Sequence, residues 1–173
     1  MMNRKQPLRT TVAGYRTASP AERAGFGMLS ACAVTISVAR AITYGIERDR
    51  NAPRLRSWVR RAYQAFDVDG LRVHHFVPGI ALALAAGAAG TLTRTDGREF
   101  PLSVTLGTGA GLILDEIGLL VKSDNPYWKT ERLALVEGGS AALGAAALAV
   151  RFPRRGAARL DRPLLGREDA TEA

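Results

Sequence analysis

Cysteine and lysine are scarce in this chain of 173 residues. The one cysteine, Cys32, excludes an intramolecular disulfide and a thiolate metal cluster, and its apolar neighbours predict that it is a small packing residue. Lysine occurs three times, so arginine makes up 21 of the 24 basic residues. This bias, together with abundant alanine, is typical of GC-rich bacterial genes, so we expect a bacterial protein.

Charge is nearly absent from long parts of the chain. The net charge of +8 and the mean hydropathy of −0.02 are typical of a small basic soluble domain, but the charged residues are grouped in blocks. Between those blocks lie four stretches of about 20 largely apolar residues, the length that a helix needs to cross about 30 Å of hydrocarbon. They are residues 24–46, 73–92, 102–121 and 133–150. The sequence therefore predicts an all-α, polytopic membrane protein with a bundle of four transmembrane helices.

The predicted transmembrane domain covers residues 19–151 and is flanked by two basic tails. The sequence Ser-Pro-Ala-Glu at 19–22 is a capping box and predicts a helix start. In the first loop, residues 54–66 carry aromatic and aliphatic side chains on one helical face and arginines on much of the rest, which indicates an interfacial amphipathic helix. Residues 1–18 and 152–173 have little to bury, so we expect disordered tails. The N-terminal tail does not resemble a cleavable signal peptide.

Small residues recur at four-residue spacing within three of the predicted spans. Such patterns let membrane helices approach closely, so we expect helix packing there, either within one chain or in a homo-oligomer. Residues 107–111 (Gly-Thr-Gly-Ala-Gly) resemble a nucleotide-binding loop, but they lie in an apolar span with no strand before them. We therefore interpret them as a packing surface. The small residues concerned are Gly79, Ala83, Gly87, Gly107, Gly111, Ser140 and Gly144.

Ionisable residues inside the predicted spans fall toward one side of the membrane. Consecutive spans joined by short loops run antiparallel, so the end of the first span lies on the same side as the start of the second. Charged groups at such depth are costly, and they usually face the bundle interior or a wet cavity, where they serve a function. They are Arg40, His74, His75, Asp115, Glu116 and Glu137. We expect these side chains to form one polar layer.

A first hypothesis makes this layer a metal centre. Two histidines with two or three carboxylates are a ligand set for zinc, iron or manganese. The expected ligands, or hydrogen-bonding neighbours of ligands, are His74, His75, Asp115 and Glu116. Adjacent helical residues differ by about 100° in direction, so one member of each pair points at the metal more directly. The substrate is a lipid or another amphipathic molecule, with Glu137 as general base and Arg40 or Tyr44 binding a headgroup phosphate.

A second hypothesis needs no metal. Arg40 neutralises Glu116 or Glu137, the histidines are hydrogen-bonded at a wet helix end, and the layer is an ion-pair network that orders the helices or relays protons. The protein is then a non-enzymatic membrane scaffold or a small transporter. One arginine faces three carboxylates, however, so the ion pair alone does not balance the charge. The sequence leaves both hypotheses open and does not decide whether the protein is an enzyme.

Three motifs follow one another in the central part of the chain: HHFVPG at 74–79, LDEIGLL at 114–120 and DNPYW at 124–128. In this order they resemble a group of uncharacterised small bacterial integral membrane proteins. The resemblance covers roughly residues 73–130. It implies a multi-helix membrane protein in which the histidine pair and the carboxylate pair act as one unit, and it implies no particular reaction.

Basic residues also predict the orientation and the partners. The N-terminus, the second loop and the C-terminal tail carry more lysine and arginine than the other two loops, which favours N-in and C-in in a bacterial plasma membrane. Positive charge beside membrane spans is what a topology signal requires. We therefore expect membrane lipids as partners, and no nucleic acid.

Overall fold

The computed structural model describes residues 6–48, 67–68, 71–72, 74–92, 97–121 and 131–160. These residues form six helices and one antiparallel pairing of two-residue strands, Asp67–Val68 with Leu71–Arg72. The helices are α1 Gln6–Arg16, α2 Pro20–Arg48, α3 Phe76–Leu92, α4 Glu99–Val121, α5 Glu131–Ala149 and α6 Arg151–Leu160. The predicted all-α class is thus confirmed. The predicted interfacial helix at 54–66 and the DNPYW motif lie outside the described residues.

Helix α2 begins at the predicted capping box. The backbone N–H of Glu22 donates to Ser19 Oγ at 3.2 Å, and the backbone N–H of Ser19 donates to Glu22 Oε2 at 3.0 Å. Two of the N–H groups that a helix start leaves unsatisfied therefore have partners. Pro20 occupies the first helical position, where a missing N–H costs nothing.

The four long helices lie side by side in the order α3, α4, α2, α5. Helix α2 packs extensively against both α4 and α5, and α3 packs extensively against α4, whereas α4 and α5 meet at few residues. A small apolar cluster formed by Cys32, Ile36, Ala134 and Ala141 fills the contact between α2 and α5. Cys32 is therefore a buried packing residue, as the sequence predicts.

Glycines of α4 set the distances to its two neighbours. A methyl group at Gly107 would overlap the carbonyl oxygen of Met28 on α2. A methyl group at Gly109 would lie 2.6 Å from the carbonyl oxygen of Gly79 on α3, which is too close for a carbon atom. The interpretation of residues 107–111 as a packing surface is confirmed, since this segment is the interior of α4. Gly87 of α3, by contrast, has open space around it.

Two stretches of helix are long and apolar enough to cross a membrane. They are Pro20–Tyr44 and Arg132–Ala158, of 25 and 27 residues, and the second runs from α5 through the single residue Val150 into α6. Helix α3 is apolar but has 17 residues. By length and composition, the described residues thus support two spans, and the count of four remains a prediction.

The tails differ from the sequence-based expectation of disorder. Residues 6–16 and 151–160 are helical, and α1 packs against α6. Two glycines make this contact close: a methyl group at Gly14 would overlap the carbonyl oxygen of Phe152, and one at Gly156 would overlap that of Thr10. We call this pair of helices the α1–α6 arm. Residues 1–5 and 161–173 lie outside the described residues.

Aromatic rings and the ion pairs of Glu22 with Arg155 and Arg151 connect the α1–α6 arm to the long helices. The rings of Tyr15, Phe26, Phe100 and Phe152 pack edge to face, with centroids 5.3 to 6.4 Å apart. Arg155 donates to both carboxylate oxygens of Glu22, at 2.6 and 2.8 Å. Each tail alone has little to bury, but the two tails bury Phe152 and Gly14 against each other. That mutual burial is the physical reason why the expectation of disorder is wrong for these residues.

The close contact at Gly107 predicts that alanine destabilises the protein there but not at Gly87. We expect Gly107→Ala to lower the free energy of unfolding by about 1–3 kcal/mol, because α2 and α4 must move apart. We expect the control Gly87→Ala to leave stability unchanged or to raise it by up to about 1 kcal/mol, because alanine has the higher helix propensity and open space is available. Thermal unfolding of the detergent-purified variants, followed by circular dichroism, measures both. Equal changes in the stability of the two variants would contradict the close packing of α4 on α2 at Gly107.

Candidate functional site

An ion pair between α2 and α4 lies deepest in the polar layer. The side chain of Asp115 is fully buried, and Arg40 Nε donates to its Oδ1 at 2.6 Å. Arg40 Nη2 also donates to the backbone carbonyl of Asp115 at 2.9 Å. The Arg40 side chain is 10% exposed. The guanidinium therefore binds both the side chain and the backbone of one residue, which fixes α2 against α4 at this level.

Glu116, the next residue, turns toward α3. Its Oε2 accepts the backbone N–H of Phe76 at 2.9 Å, and its Oε1 lies 3.1 Å from His74 Nδ1. Phe76 begins α3, and no serine, threonine, aspartate or asparagine precedes it to cap the helix. Glu116 is thus a cap supplied by another helix, and its negative charge lies at the positive end of the α3 dipole.

His75 lies between the two carboxylates. Its Nε2 is 3.4 Å from Asp115 Oδ2 and 3.4 Å from Glu116 Oε1, and its Nδ1 is 3.3 Å from the carbonyl oxygen of Leu112. A carbonyl only accepts, so Nδ1 must carry a hydrogen to make this contact. In a neutral ring Nε2 would then be an acceptor that faces two further acceptors. Good hydrogen bonding therefore needs one more proton, either on Nε2 or on a carboxylate.

These four side chains range from half-exposed to fully buried. The side chain of His74 is 50% exposed, that of His75 28%, that of Glu116 7% and that of Asp115 0%. The contacts above run from His74 to Glu116 at 3.1 Å, from Glu116 to His75 at 3.4 Å and from His75 to Asp115 at 3.4 Å. A connected row of proton-binding groups therefore leads from the protein surface to the buried ion pair.

Glu137 of α5 approaches the same layer from a third helix. It interacts electrostatically with Asp115 and Arg40. Its Oε2 atom is buried and has no hydrogen-bond partner within the described part of the chain. Tyr44 lies one helical turn beyond Arg40 and is 43% exposed. The binding of a headgroup phosphate by Tyr44 stays a prediction.

The structure brings the predicted metal ligands together as a row of side chains with nitrogen–oxygen distances of 3.1 to 3.4 Å. Within the described residues, no group of three or more histidine, cysteine, aspartate or glutamate side chains has an arrangement that could hold a metal ion. Asp115 and Glu116 diverge as expected for adjacent helical residues, one toward α2 and the other toward α3. The proposed metal therefore remains a prediction.

Sequence reasoning misses two backbone groups of this site. The N–H of Phe76 binds Glu116, and the carbonyl of Leu112 contacts His75. One signal for the first was present, because an apolar helix that starts without a local capping residue needs a partner from elsewhere. No comparable signal marks Leu112, whose carbonyl is one of many along α4.

Comparison with known proteins gives no relative for this chain. No protein-family model, no curated protein and no solved structure matches it. The resemblance to small bacterial membrane proteins stays a prediction, carried by the motifs within residues 73–130.

The buried ion pair predicts a large and partly reversible loss of stability. We expect Arg40→Leu to cost about 3–5 kcal/mol, because it leaves Asp115 buried and unpaired. The double variant Arg40→Leu/Asp115→Leu should recover most of this loss, because no uncompensated charge remains. Thermal unfolding in detergent measures both variants.

The matched control is Arg155→Leu, which breaks the more exposed pair with Glu22. Its loss should be clearly smaller than that of Arg40→Leu, because water solvates the remaining carboxylate. A double variant as unstable as Arg40→Leu alone would contradict the role given to the ion pair.

Proposed function

We propose that this chain is a multi-pass protein of the bacterial plasma membrane, and that its polar layer is a proton relay in a small proton-coupled transporter. The observation that carries the proposal is the position of His75 between two carboxylates and a carbonyl. A proton on the His75 ring has oxygen atoms of three residues within 3.4 Å. The proposal concerns the movement of the proton.

All four long helices cross the membrane in this proposal. Helices α3 and α4 rise about 26 and 35 Å, which is close to the 30 Å thickness of the hydrocarbon. Asp115 and Glu116 of α4 have partners on α2 and at the start of α3, so their charge is not exposed to lipid. The exposed large side chains of α3 are aliphatic, as on a surface in contact with lipid, and include Val77, Ile80 and Leu84.

Protons enter the relay at His74. Its half-exposed ring is the member of the row with the best access to water. A proton passes from there to Glu116, then to His75 and to the Asp115 carboxylate beside Arg40. Each transfer covers one hydrogen-bonding distance or a slightly longer one, and histidine accepts and releases protons near neutral pH.

Protonation of Glu116 changes the start of α3. The carboxylate caps the first N–H of α3 and complements the positive end of its dipole. A proton on Glu116 removes the charge and weakens both interactions, so the N-terminus of α3 becomes easier to displace. Helix α3 packs extensively on α4, but it does not pack extensively on α2 or on α5. This local change is the step that couples proton binding to helix movement.

The orientation follows from the arginines of the α1–α6 arm. The arm carries six arginines and no acidic residue, which favours a cytoplasmic position and agrees with N-in and C-in. Glu22 and Arg40 are 18 residues apart on α2, or about 27 Å of helix rise. The relay therefore opens to the opposite, non-cytoplasmic side.

Proton flux into proteoliposomes tests the relay. We expect Glu116→Gln to lower the flux by about tenfold or more, because the amide oxygen still caps Phe76 but cannot take up a proton. A pH-sensitive dye inside the vesicles reports the flux under an imposed potassium gradient with valinomycin. The control is Glu99→Gln at the start of the same helix, which should keep the flux. An unchanged flux in Glu116→Gln, with an intact melting temperature, would contradict the relay.

A second candidate function is metal-dependent chemistry on a lipid or another amphipathic substrate. The observation that favours it is the convergence of two imidazoles and two carboxylates at 3.1 to 3.4 Å. Glu137 would be the general base, and Arg40 or Tyr44 would bind a headgroup phosphate. We rank it second because the Arg40 guanidinium already occupies Asp115 and repels a divalent cation.

Elemental analysis of the purified protein separates the two functions. A metal centre predicts stoichiometric zinc, iron or manganese that is lost in His74→Ala/His75→Ala and in Asp115→Ala/Glu116→Ala. The control is Glu99→Ala, which removes a carboxylate from α4 outside the layer. Absence of bound metal after growth with each of the three metals would exclude the metal-dependent function and leave the relay.

A further inference from the structure

The α1–α6 arm has an open groove on its α1 side. Leu8, Arg9, Val12, Ala13 and Arg16 line this groove. Leu8 is 70% exposed and Val12 is 44% exposed, although both are large aliphatic residues in a polar helix. Leu8, Val12 and Arg16 are four residues apart and thus lie on one helical face. The face buried against α6 is a different one and includes Gly14.

The charged residues of the α1–α6 arm have one sign. Helix α1 contributes Arg9 and Arg16, and α6 contributes four more arginines, with no acidic residue in either helix. The carboxylate of Glu22 on α2 is already paired with Arg155 and lies 4.0 Å from Arg151. A ligand that covers the exposed aliphatic pair must therefore carry negative charge beside an apolar part.

We propose that this groove, formed by Leu8, Val12, Arg9 and Arg16, binds the anionic lipids of the membrane surface. The inference rests on the membrane position given under the proposed function, and it is independent of the relay. Leu8 and Val12 enter the boundary between headgroups and acyl chains, and the two arginines contact lipid phosphates.

The linkage to α2 supports this occupant. Residues 17–19 alone separate α1 from α2, which begins one of the two candidate spans. A helix held that close to a membrane-crossing helix lies at the headgroup layer of the same bilayer. Apolar side chains flanked by arginines match that layer better than they match water. The groove therefore meets its ligand without any movement of the arm.

A fluorescent label in the groove tests the proposal. An environment-sensitive dye is attached at Val12→Cys in a Cys32→Ala background, and the full chain is placed in nanodiscs. One set of discs contains phosphatidylcholine alone, and the other contains phosphatidylcholine with phosphatidylglycerol. We expect quenching by a lipid with a nitroxide near its headgroup to be about twofold or more stronger in the anionic discs. High salt should remove the difference, because the Debye length falls to about 3 Å at 1 M.

Two double variants separate the groove from the total charge of the arm. Arg9→Gln/Arg16→Gln should abolish the dependence on phosphatidylglycerol. Arg151→Gln/Arg154→Gln removes the same amount of charge from exposed positions of α6. This variant should retain most of the dependence on phosphatidylglycerol. Equal losses in both variants would overturn the assignment to this groove.

The remaining outcomes distinguish this inference from the proposed function. A protein that enters nanodiscs but shows the same weak quenching with both lipid mixtures overturns the lipid groove and leaves the relay untouched. A protein that does not co-elute with nanodiscs overturns the membrane position and with it both proposals. Quenching that is already strong in the discs of phosphatidylcholine alone would show an apolar contact that needs no anionic lipid. This outcome also overturns the inference.

Discussion

The ion pair between Arg40 and Asp115 determines the contact on which the other helices depend. Both groups are buried, and the guanidinium holds the side chain and the backbone carbonyl of Asp115 at once. Neither partner can leave without exposing an uncompensated charge to an apolar environment. The ion pair therefore fixes α4 on α2 along the helix axis, and the glycines at 107 and 111 allow the same two helices to approach.

The positions of α3 and α5 follow from this contact. With Asp115 directed at α2, the next residue points about 100° away, so Glu116 faces α3 and caps its first N–H. Gly79 and Gly109 bring the backbones of α3 and α4 together beyond that cap. Helix α5 packs on the other side of α2, and its Glu137 approaches the same ion pair. Adjacent carboxylates on one helix thus bind two different neighbours.

Local patterns in the sequence predict local features well. The capping box at Ser19 and Glu22, the helical character of residues 107–111 and the packing role of Cys32 all depend on neighbours within a few residues or on a simple periodicity. The order of the helices also predicts that the ionisable residues come together, because the end of one antiparallel helix lies beside the start of the next. The sequence could not give the partner of each group, which depends on helix rotation.

Contacts between distant parts of the chain explain what sequence reasoning missed. The α1–α6 arm joins residues 6–16 to residues 151–160. The contact depends on Gly14 meeting Phe152 and on Glu22 meeting Arg155, more than 130 residues apart. Composition judged for each tail alone predicts disorder, because the surface that the tail buries belongs to the other tail.

Stability does not explain why this chain keeps six ionisable groups in one layer. Well-packed apolar residues of similar volume usually stabilise a protein as well as a buried ion pair does, or better. An ordering role needs at most the Arg40–Asp115 pair and the cap from Glu116. The additional histidine between the carboxylates and the buried oxygen of Glu137 serve neither purpose. Groups of this kind are useful where a proton must be held and passed on, which is the reason why we favour a relay over a scaffold.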